Sequence, residues 1–381
     1  MERIYLDHAA TSPMHPQVSE KMLEIMNSHF GNPSSIHSFG REARHLIDLS
    51  RETMAKSIGA KENEIIFTSG GTEADNMALF GVAESYQQAG RHIITSKIEH
   101  HAVLHACEKL EKMGFDVTYV PVDETGKLIL DELKKALRDD TILVSIMYGN
   151  NEVGTLQPIY EIGKLLKDHQ AIFHTDAVQA YGMESIDVNE GNIDLLSVSA
   201  HKINGPKGIG FLYCRGEIKL MPRSFGGEQE RKRRAGTENV PSIVAFREAV
   251  QIAQAAKAEK RQNFSRFKQI LLDELEKEQA DFSLNGSLEN SLPHVLNLSF
   301  PGTNVEAMLV NLDLAGIAVS SGSACTAGSI EPSHVLVAMF GKNSDRLTNS
   351  IRFSFGLTTT EDEVRKAARQ TARIAKRLSN R

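Results

Sequence analysis

The sequence predicts an α/β protein with a doubly wound, mostly parallel sheet, because short apolar runs alternate with amphipathic, helix-like segments. The helix-like segments include residues 131–137 and 160–168. A Gly-Pro-Lys-Gly turn leads into one predicted strand, at 208–214. The other apolar runs have the composition of buried strands and lie at 65–68, 92–95, 117–120, 142–146, 172–175 and 195–199.

The last third of the chain predicts a second, smaller domain of α+β type. Residues 241–278 are rich in Ala, Gln, Glu and Lys and predict a long bridging helix. Beyond it, the pattern indicates two strands and a closing amphipathic helix, at 294–300, 351–355 and 361–378. We therefore expect a large domain over residues 15–256 and a small domain formed by residues 1–14 and 257–381.

Composition excludes several classes of function. The 381 residues are 41% hydrophobic and 24% charged, with a formal net charge of −6, which argues against nucleic-acid binding over the whole surface and leaves a local basic patch open, and no direct DNA contact is expected. No apolar run approaches the roughly 20 residues of a membrane span, and the first residues lack the core of a signal peptide. The three separated cysteines, Cys107, Cys214 and Cys325, indicate a reducing, cytoplasmic location rather than a disulfide framework.

A lysine and an aspartate follow consecutive predicted strands. Lys202 lies in Ser-Ala-His-Lys-Ile-Asn-Gly after one strand, and a lysine amine can form a Schiff base with a carbonyl cofactor. Asp176 ends the preceding strand, where a buried carboxylate needs a positive partner such as a protonated pyridine nitrogen. A solvated surface lysine and a helix-capping aspartate are the simpler alternatives. Parallel packing would bring both residues to the carboxyl edge of the sheet, where open α/β sheets bind ligands.

The stretch from Thr68 to Asn76 has the form of an anion site. It predicts a strand, a glycine turn and a helix start, where backbone N–H groups and the helix dipole favour a phosphate. Gly71 permits close approach of the backbone and Thr72 offers a hydroxyl. Simple helix capping by Thr72 and Glu73 is the alternative.

Cys325 lies in a small-residue, glycine-rich segment, 319–333, whose composition predicts a mobile, exposed loop. Cys107 and Cys214 lie instead in a helical and a strand pattern, which favours inert buried thiols. An inert, buried thiol is therefore a poor description of Cys325, whose flanking residues look exposed.

These pieces, in this order, resemble the cysteine desulfurases of the NifS and IscS kind, within the class-V aminotransferase family of fold-type I enzymes that use pyridoxal 5′-phosphate (PLP). The resemblance runs nearly end to end. It rests on the segments 5–11, 31–37, 69–73, 99–100, 150–154, 174–176, 200–202, 234–237, 321–325 and 350–354. It implies a large domain with a sheet of the seven-stranded type and a small domain carrying the cysteine loop.

The resemblance also implies which residues would bind the cofactor. Lys202 would hold PLP covalently and later move protons, Asp176 would pair with the pyridine nitrogen, and Gln179 would bond the ring hydroxyl. His100 would stack on the ring and act as an acid or base. The remaining cofactor contacts would come from Gly71, Thr72, Asn151, Ser199, His201 and, from the second subunit of a homodimer, Thr237.

The implied reaction converts L-cysteine to L-alanine and leaves its sulfur as a persulfide on Cys325. Asn151 and Arg352 would bind the substrate carboxylate, because the planar fork of arginine matches two oxygens, and Asn32 would assist. His100 is the candidate proton acceptor for the Cys325 thiol. The alternatives are a selenocysteine lyase and a catalytically silent sulfur-relay partner on the same fold.

The resemblance further implies a sulfur-acceptor protein, either an iron–sulfur scaffold or a tRNA 2-thiouridylase. Relatives that serve the scaffold carry a tail longer than the end at Arg381, so we expect the dedicated thiouridylase type to be a serious option. The basic closing helix is either a solvated face or a docking surface. His101 and His105 have a zinc-compatible spacing without an evident third ligand, so no intrinsic metal site is expected; Cys325 would at most ligate an iron–sulfur cluster transiently.

Overall fold

The computed structural model describes residues 3–322 and 332–379. Within these residues the α-helices are α1 (Pro16–Ser28), α2 (Ser38–Ser57), α3 (Gly71–Tyr86), α4 (His101–Lys112), α5 (Leu130–Ala136), α6 (Ile159–Leu166), α7 (Val240–Ala255), α8 (Lys257–Lys277), α9 (Val305–Leu314), α10 (His334–Phe340) and α11 (Glu361–Ser379). The strands are β1 (Ile4–Tyr5), β2 (Ile65–Thr68), β3 (His92–Ser96), β4 (Asp116–Val120), β5 (Thr141–Ser145), β6 (Ile172–Asp176), β7 (Leu195–Ser199), β8 (Gly210–Cys214), β9 (Ser283–Asn285), β10 (Val295–Ser299), β11 (Ile317–Ala318) and β12 (Ser350–Ser354).

The predicted mostly parallel sheet is confirmed as a seven-stranded sheet in the order β2-β8-β7-β6-β5-β3-β4. The strands β4, β3, β5, β6 and β7 pair in parallel, and β8 pairs antiparallel with both β7 and β2. The central strands are apolar on both faces because helices cover both sides. Parallel pairing of β6 with β7 brings their carboxyl ends to one edge.

Most of the buried apolar residues in the described ranges form two hydrophobic cores. The first comprises the two faces of the large sheet, with α2 and α7 on one face and α3 and α4 on the other. The second lies between α8, α11 and the three-stranded sheet β12-β10-β9. The amino-terminal strand β1 pairs in parallel with β11 and packs into this second core. The exact boundaries of the two predicted domains stay a prediction.

The prediction of one continuous helix over residues 241–278 is wrong, although the region is helical. The chain forms two helices, α7 and α8, separated at Ala256, whose φ and ψ are −92° and 2°. The helix α7 buries its apolar residues in the first core, whereas α8 buries Phe264, Phe267 and Leu271 in the second. A helix without a bend could not face both cores, so the break follows from packing rather than from local propensity.

The two cysteines that the pattern assigned to the interior are buried, Cys107 in α4 and Cys214 in β8. Burial raises the pKa of both thiols, that of Cys214 to about 12. Neither thiol is therefore a reactive thiolate at neutral pH. No helix in the described ranges is long and apolar enough to cross a membrane.

A buried ion pair braces β2, the strand that leads into the predicted anion turn. Arg51 of α2 donates two hydrogen bonds of 2.7 Å to the two carboxylate oxygens of Glu230. The same arginine donates to the Ile65 carbonyl over 2.6 Å, and the Phe67 N–H donates to Glu230 over 3.2 Å. Both charged side chains are almost fully buried, so neither charge has water as an alternative partner.

We predict that Glu230→Ala lowers the free energy of unfolding by about 3–5 kcal/mol, because it leaves the Arg51 charge buried without a partner. The control is Glu52→Gln, which removes an exposed pair with Lys56 and should change stability by less than about 0.5 kcal/mol. Denaturant titration measures both. Equal losses in the two variants would contradict the role assigned to the buried pair.

Candidate active site

The parallel pair β6–β7 places Asp176 and Lys202 at the same edge of the sheet, as the sequence predicts. Asp176 is the last residue of β6, and Lys202 lies in a 3₁₀ turn, Ala200–Ile203, directly after β7. Asn204 ends this turn with a φ of +65°, and its side-chain amide donates to the Pro13 carbonyl over 2.9 Å. The turn that carries Lys202 is thereby fixed to the amino-terminal segment.

The Lys202 amine lies in a cleft of about 240 Å³ between the sheet edge and the amino-terminal segment. It donates hydrogen bonds to the carbonyl oxygens of Ala9 and Ala10, the latter over 2.8 Å. The cleft is lined by Ala9, Ala10, Gly71, Thr72, Asp75, His100, Met147, Gly149, Asn151, Asp176, Val178, Gln179, Ser199, His201, Lys202, Gly322 and Arg352.

Two buried carboxyl groups lie behind this cleft. Asp176 is 6% exposed and accepts a 2.9 Å hydrogen bond from the Val178 N–H. Burial raises the pKa of Asp176 to about 6, although that hydrogen bond and the Lys202 charge lower it. Burial and the nearby Asp176 charge raise the pKa of Asp75 well above its usual value. A positive charge placed beside these two buried carboxyl groups would therefore be stabilised, and a protonated ring nitrogen would supply such a charge.

An anion cradle adjoins the cleft at the amino terminus of α3. Gly70, with a φ of +149°, precedes Gly71, the first residue of this 16-residue helix. A Cβ atom on Gly71 would lie 2.7 Å from Cγ2 of Val178, so the position excludes larger side chains. Gly71, Thr72, Ser199 and His201 line both the cleft and the adjoining cradle. Free N–H groups, hydroxyls and the helix dipole suit a phosphate there.

Two histidines at the cleft are neutral at physiological pH. Burial, reinforced by the Lys202 charge, lowers the pKa of His100 and of His201 to about 4. His100 precedes α4, and its Nδ1 accepts the Ala102 N–H over 3.1 Å. Thr11 Oγ1 lies 3.1 Å from Nδ1 of His201 and fixes that ring.

Arg352 reaches the cleft from the middle of β12, in the smaller sheet. Its side chain is 3% exposed, and its guanidinium contacts Asp7 Oδ1 at 2.8 Å and donates to the Asn151 carbonyl over 2.9 Å. Its buried Nε has no hydrogen-bond partner within the described residues. The arginine is thus held at the cleft wall by Asp7, a partner that sequence reasoning did not identify.

Three predicted residues are not placed in this cleft. Asn32 and Thr237 are exposed and do not line it in a single chain. Cys325 lies outside the described residues, as does most of the loop predicted at 319–333. Gly322, three positions before Cys325, does line the cleft.

Sequence reasoning missed several lining residues, among them Ala9, Ala10, Asp75 and Val178. The carbonyl groups of Ala9 and Ala10 matter because they accept from Lys202, yet a backbone acceptor leaves no residue-type signal. Asp75 lies within the predicted anion stretch, where its spacing along α3 from Gly71 was the available clue. In the part of the chain that the structure covers, no group of three or more His, Cys, Asp or Glu side chains is arranged to hold a metal ion.

Comparison with known proteins places the chain in a family. The model of the aminotransferase class-V family matches residues 4–366. A putative cysteine desulfurase IscS 1 of Bacillus subtilis (strain 168) is 63% identical over 379 residues, covering 100% of both chains. A cysteine desulfurase IscS of Dictyoglomus turgidum is 49% identical, covering 98% of this chain and 95% of the relative. A solved NifS-like protein superposes with a TM-score of 0.92 at 37% identity, covering 100% of both chains.

The chain therefore belongs to the class-V aminotransferase family, whose members use PLP. The resemblance to cysteine desulfurases and the predicted fold class are confirmed. The residues fit the cofactor: an amine for its aldehyde, a buried carboxyl pair for its ring nitrogen, and an anion cradle for its phosphate.

One buried group beside the site yields a pH-dependent prediction. Glu99 accepts from Ser96 and from the Met147 N–H, and burial raises its pKa to about 8. The pKa of a glutamate in the unfolded chain is about 4.3. Between about pH 4.3 and about pH 8, Glu99 of the folded chain therefore holds a proton that the unfolded chain has lost. This group therefore lowers stability as pH rises from about 4 to about 8.

We predict that Glu99→Gln gains stability relative to the parent between pH 5 and pH 8, by on the order of 1 kcal/mol per pH unit. Denaturant titrations in cofactor-saturated buffer at several pH values measure the difference. The exposed Glu24, replaced by Gln, serves as control and should show no such slope. A Glu99→Gln difference that stays constant with pH would contradict the assignment.

Proposed function

We propose that this protein is a PLP-dependent cysteine desulfurase that converts L-cysteine to L-alanine and holds the sulfur on Cys325. The observation that carries the proposal is the meeting of Lys202, the buried Asp176 and Arg352 in one cleft. Relatives named cysteine desulfurase that align over the full chain support the same reaction.

In this proposal the cofactor is held at four points. The Lys202 amine binds it covalently, Asp176 pairs with the ring nitrogen, and Gln179 and His100 contact the ring. Its phosphate lies in the cradle formed by Gly71, Thr72, Ser199 and His201. When bound, PLP withdraws electrons from the substrate carbon next to the amine. The raised pKa of Asp176 falls again once it faces a protonated nitrogen, because a nearby opposite charge favours the carboxylate.

His100 acts at Nε2. Since its Nδ1 accepts the Ala102 N–H, the neutral ring carries its hydrogen on Nε2. The lowered pKa keeps the ring neutral at pH 7, so His100 donates a hydrogen bond from Nε2 and can take up a proton only at Nδ1, which would then give up its bond to the Ala102 N–H. The Lys202 amine, once released, is the second group that moves protons. Acceptance of the Cys325 proton by His100 stays a prediction.

Arg352 binds the substrate carboxylate, assisted by the Asn151 side chain. The guanidinium is fixed by Asp7 and by the Asn151 carbonyl, so little rotamer freedom is lost when the carboxylate binds. Its unpartnered Nε offers one donor. Fixing the carboxylate and the amine of the substrate together leaves its side-chain sulfur as the only mobile group.

The sulfur step needs the loop cysteine. The thiolate of Cys325 attacks the sulfur of the bound cysteine, the carbon–sulfur bond breaks, and the electron pair of that bond returns to the substrate, which takes up protons and leaves as alanine. The new sulfur–sulfur bond stores the sulfur as a persulfide. An acceptor protein, of the thiouridylase or iron–sulfur-scaffold type, then removes the outer sulfur.

A homodimer is part of the proposal. Thr237 is exposed in one chain, which suits its expected contact with the cofactor phosphate of a second subunit. The segment from α1 to α2 exposes large apolar side chains, with Phe30 at 77%, Ile36 at 92% and Phe39 at 52% exposure. The Phe30 and Phe39 rings stack at 5.3 Å and form a coherent apolar surface. Such a patch is typical of a protein interface.

We predict that the purified protein releases one alanine per cysteine consumed and shows a visible cofactor band. Cys325→Ser should keep the band but lose alanine release by on the order of 100-fold or more, because the acceptor nucleophile is gone. Cys107→Ala, which alters a buried thiol, is the matched control and should keep both properties. Undiminished alanine release in Cys325→Ser would refute the thiol step.

We predict further that the parent sediments at twice the mass of one chain. Phe30→Asp combined with Phe39→Asp should shift it to monomer and weaken PLP retention, because the contribution of Thr237 from the second chain is lost. Leu288→Asp, at a 48% exposed apolar residue of the second domain, is the control. Sedimentation velocity measures the outcome, and a double variant that remains dimeric with full cofactor would rule out this interface.

A further inference from the structure

His294, just before β10 of the smaller sheet, contacts Gln179, a lining residue of the cleft at the large sheet, through one hydrogen bond. Its Nε2 lies 3.2 Å from Oε1 of Gln179, and both side chains are buried, at 6% and 7% exposure. The carbonyl of His294 accepts the Phe355 N–H over 2.9 Å, which fixes its backbone within the second core. His294 thus connects the two cores at a residue that lines the cleft.

The tautomer of His294 follows from its neighbours. Burial, with the charges of Lys268, His8, Lys202 and Arg352, lowers its pKa to about 3, so the ring is neutral. A neutral imidazole has one N–H, and the amide oxygen of Gln179 can only accept. Nε2 therefore carries the hydrogen, and the buried Nδ1 has no partner in the described chain.

This donor fixes the orientation of the Gln179 amide. With Oε1 accepting from His294, the amide nitrogen must lie on the other side, where it donates to the Ala9 carbonyl over 2.9 Å. An amide nitrogen has two hydrogens, and the Ala9 carbonyl takes one. The second remains for a ligand in the cleft that Gln179 lines. A flipped amide would present an oxygen there and repel an anionic ligand atom.

We propose that His294 is a positioning residue that fixes Gln179 with its N–H toward the cleft, so that the site favours an ionised ring oxygen on the cofactor. The inference rests on the proposed function, and deepens it, because the ligand atom is the PLP ring oxygen that Gln179 contacts. A residue of the smaller sheet thereby sets the charge state of a cofactor bound at the edge of the large one.

The test compares PLP-loaded parent, His294→Leu, His294→Gln, Gln179→Leu and the double variant His294→Leu/Gln179→Leu. Two quantities are measured: the dissociation constant of PLP, and the fraction of bound cofactor in the long-wavelength, oxygen-ionised form as a function of pH. His294→Leu should weaken PLP binding about tenfold, since it compromises a hydrogen bond to a charged atom. It should also lower the ionised fraction.

His294→Gln should restore both quantities to near the parent values, because a glutamine amide places an N–H close to the position of Nε2. The double variant should be no worse than Gln179→Leu alone, since His294 acts only through Gln179. His294→Asn should behave like His294→Leu, because its shorter amide does not reach Gln179. If circular dichroism shows that the leucine variant folds poorly, His294→Asn takes its place in the test.

The inference is overturned if His294→Leu and His294→Asn keep the parent affinity and spectrum, or if the effects of His294→Leu and Gln179→Leu add in full. A parent that binds PLP with this behaviour but forms no alanine would refute the desulfurase proposal and leave the role of His294 intact. A parent that binds no PLP would refute both.

Discussion

The site depends on burial of a carboxylate beside an amine at the edge of the parallel sheet. Asp176 and Lys202 follow neighbouring strands, and the cleft between them is closed by backbone carbonyls of the amino-terminal segment. A buried carboxylate is costly without a positive partner, and the raised pKa of Asp176 is the physical sign of that cost. In the proposed function the ring nitrogen of the cofactor would remove this cost, so that binding energy and catalytic chemistry would come from the same contact. The neighbouring Asp75 increases the effect, because two carboxyl groups this close cannot both ionise freely.

The second core contributes what the large sheet lacks. Arg352 comes from β12 and is fixed by Asp7, which follows β1 in the amino-terminal segment. His294, from the start of β10, contacts Gln179. In the proposed function, residues of the smaller sheet therefore act on two ligand groups: Arg352 on the substrate carboxylate, and His294 on the cofactor ring oxygen through Gln179. The proposed contacts to the cofactor phosphate, to its ring nitrogen and to its aldehyde come from the large sheet. Relative movement of the two cores would change substrate binding and cofactor charge together.

Much of this arrangement could be predicted from the sequence, for identifiable reasons. Continuous apolar runs predict the central strands to within one or two residues, and the polar residues at the strand ends indicate Asp176 and Lys202. The break at Ala256 was missed because helix propensity is high on both sides of it, and only the need to face two cores separates α7 from α8. The Ala9 and Ala10 carbonyls, the Asp7–Arg352 pair and the His294–Gln179 contact were missed because each joins residues far apart in the chain, which local periodicity cannot reveal.

The proposed reaction depends on a covalent bond between the cofactor aldehyde and the amine of Lys202. Borohydride reduction of the loaded protein makes that bond permanent, and digestion followed by mass spectrometry locates the modified lysine. We predict a pyridoxyl group on Lys202 alone, at close to one per chain. Modification of Lys207, which lines the adjoining cradle, or of another lysine in place of Lys202 would contradict it.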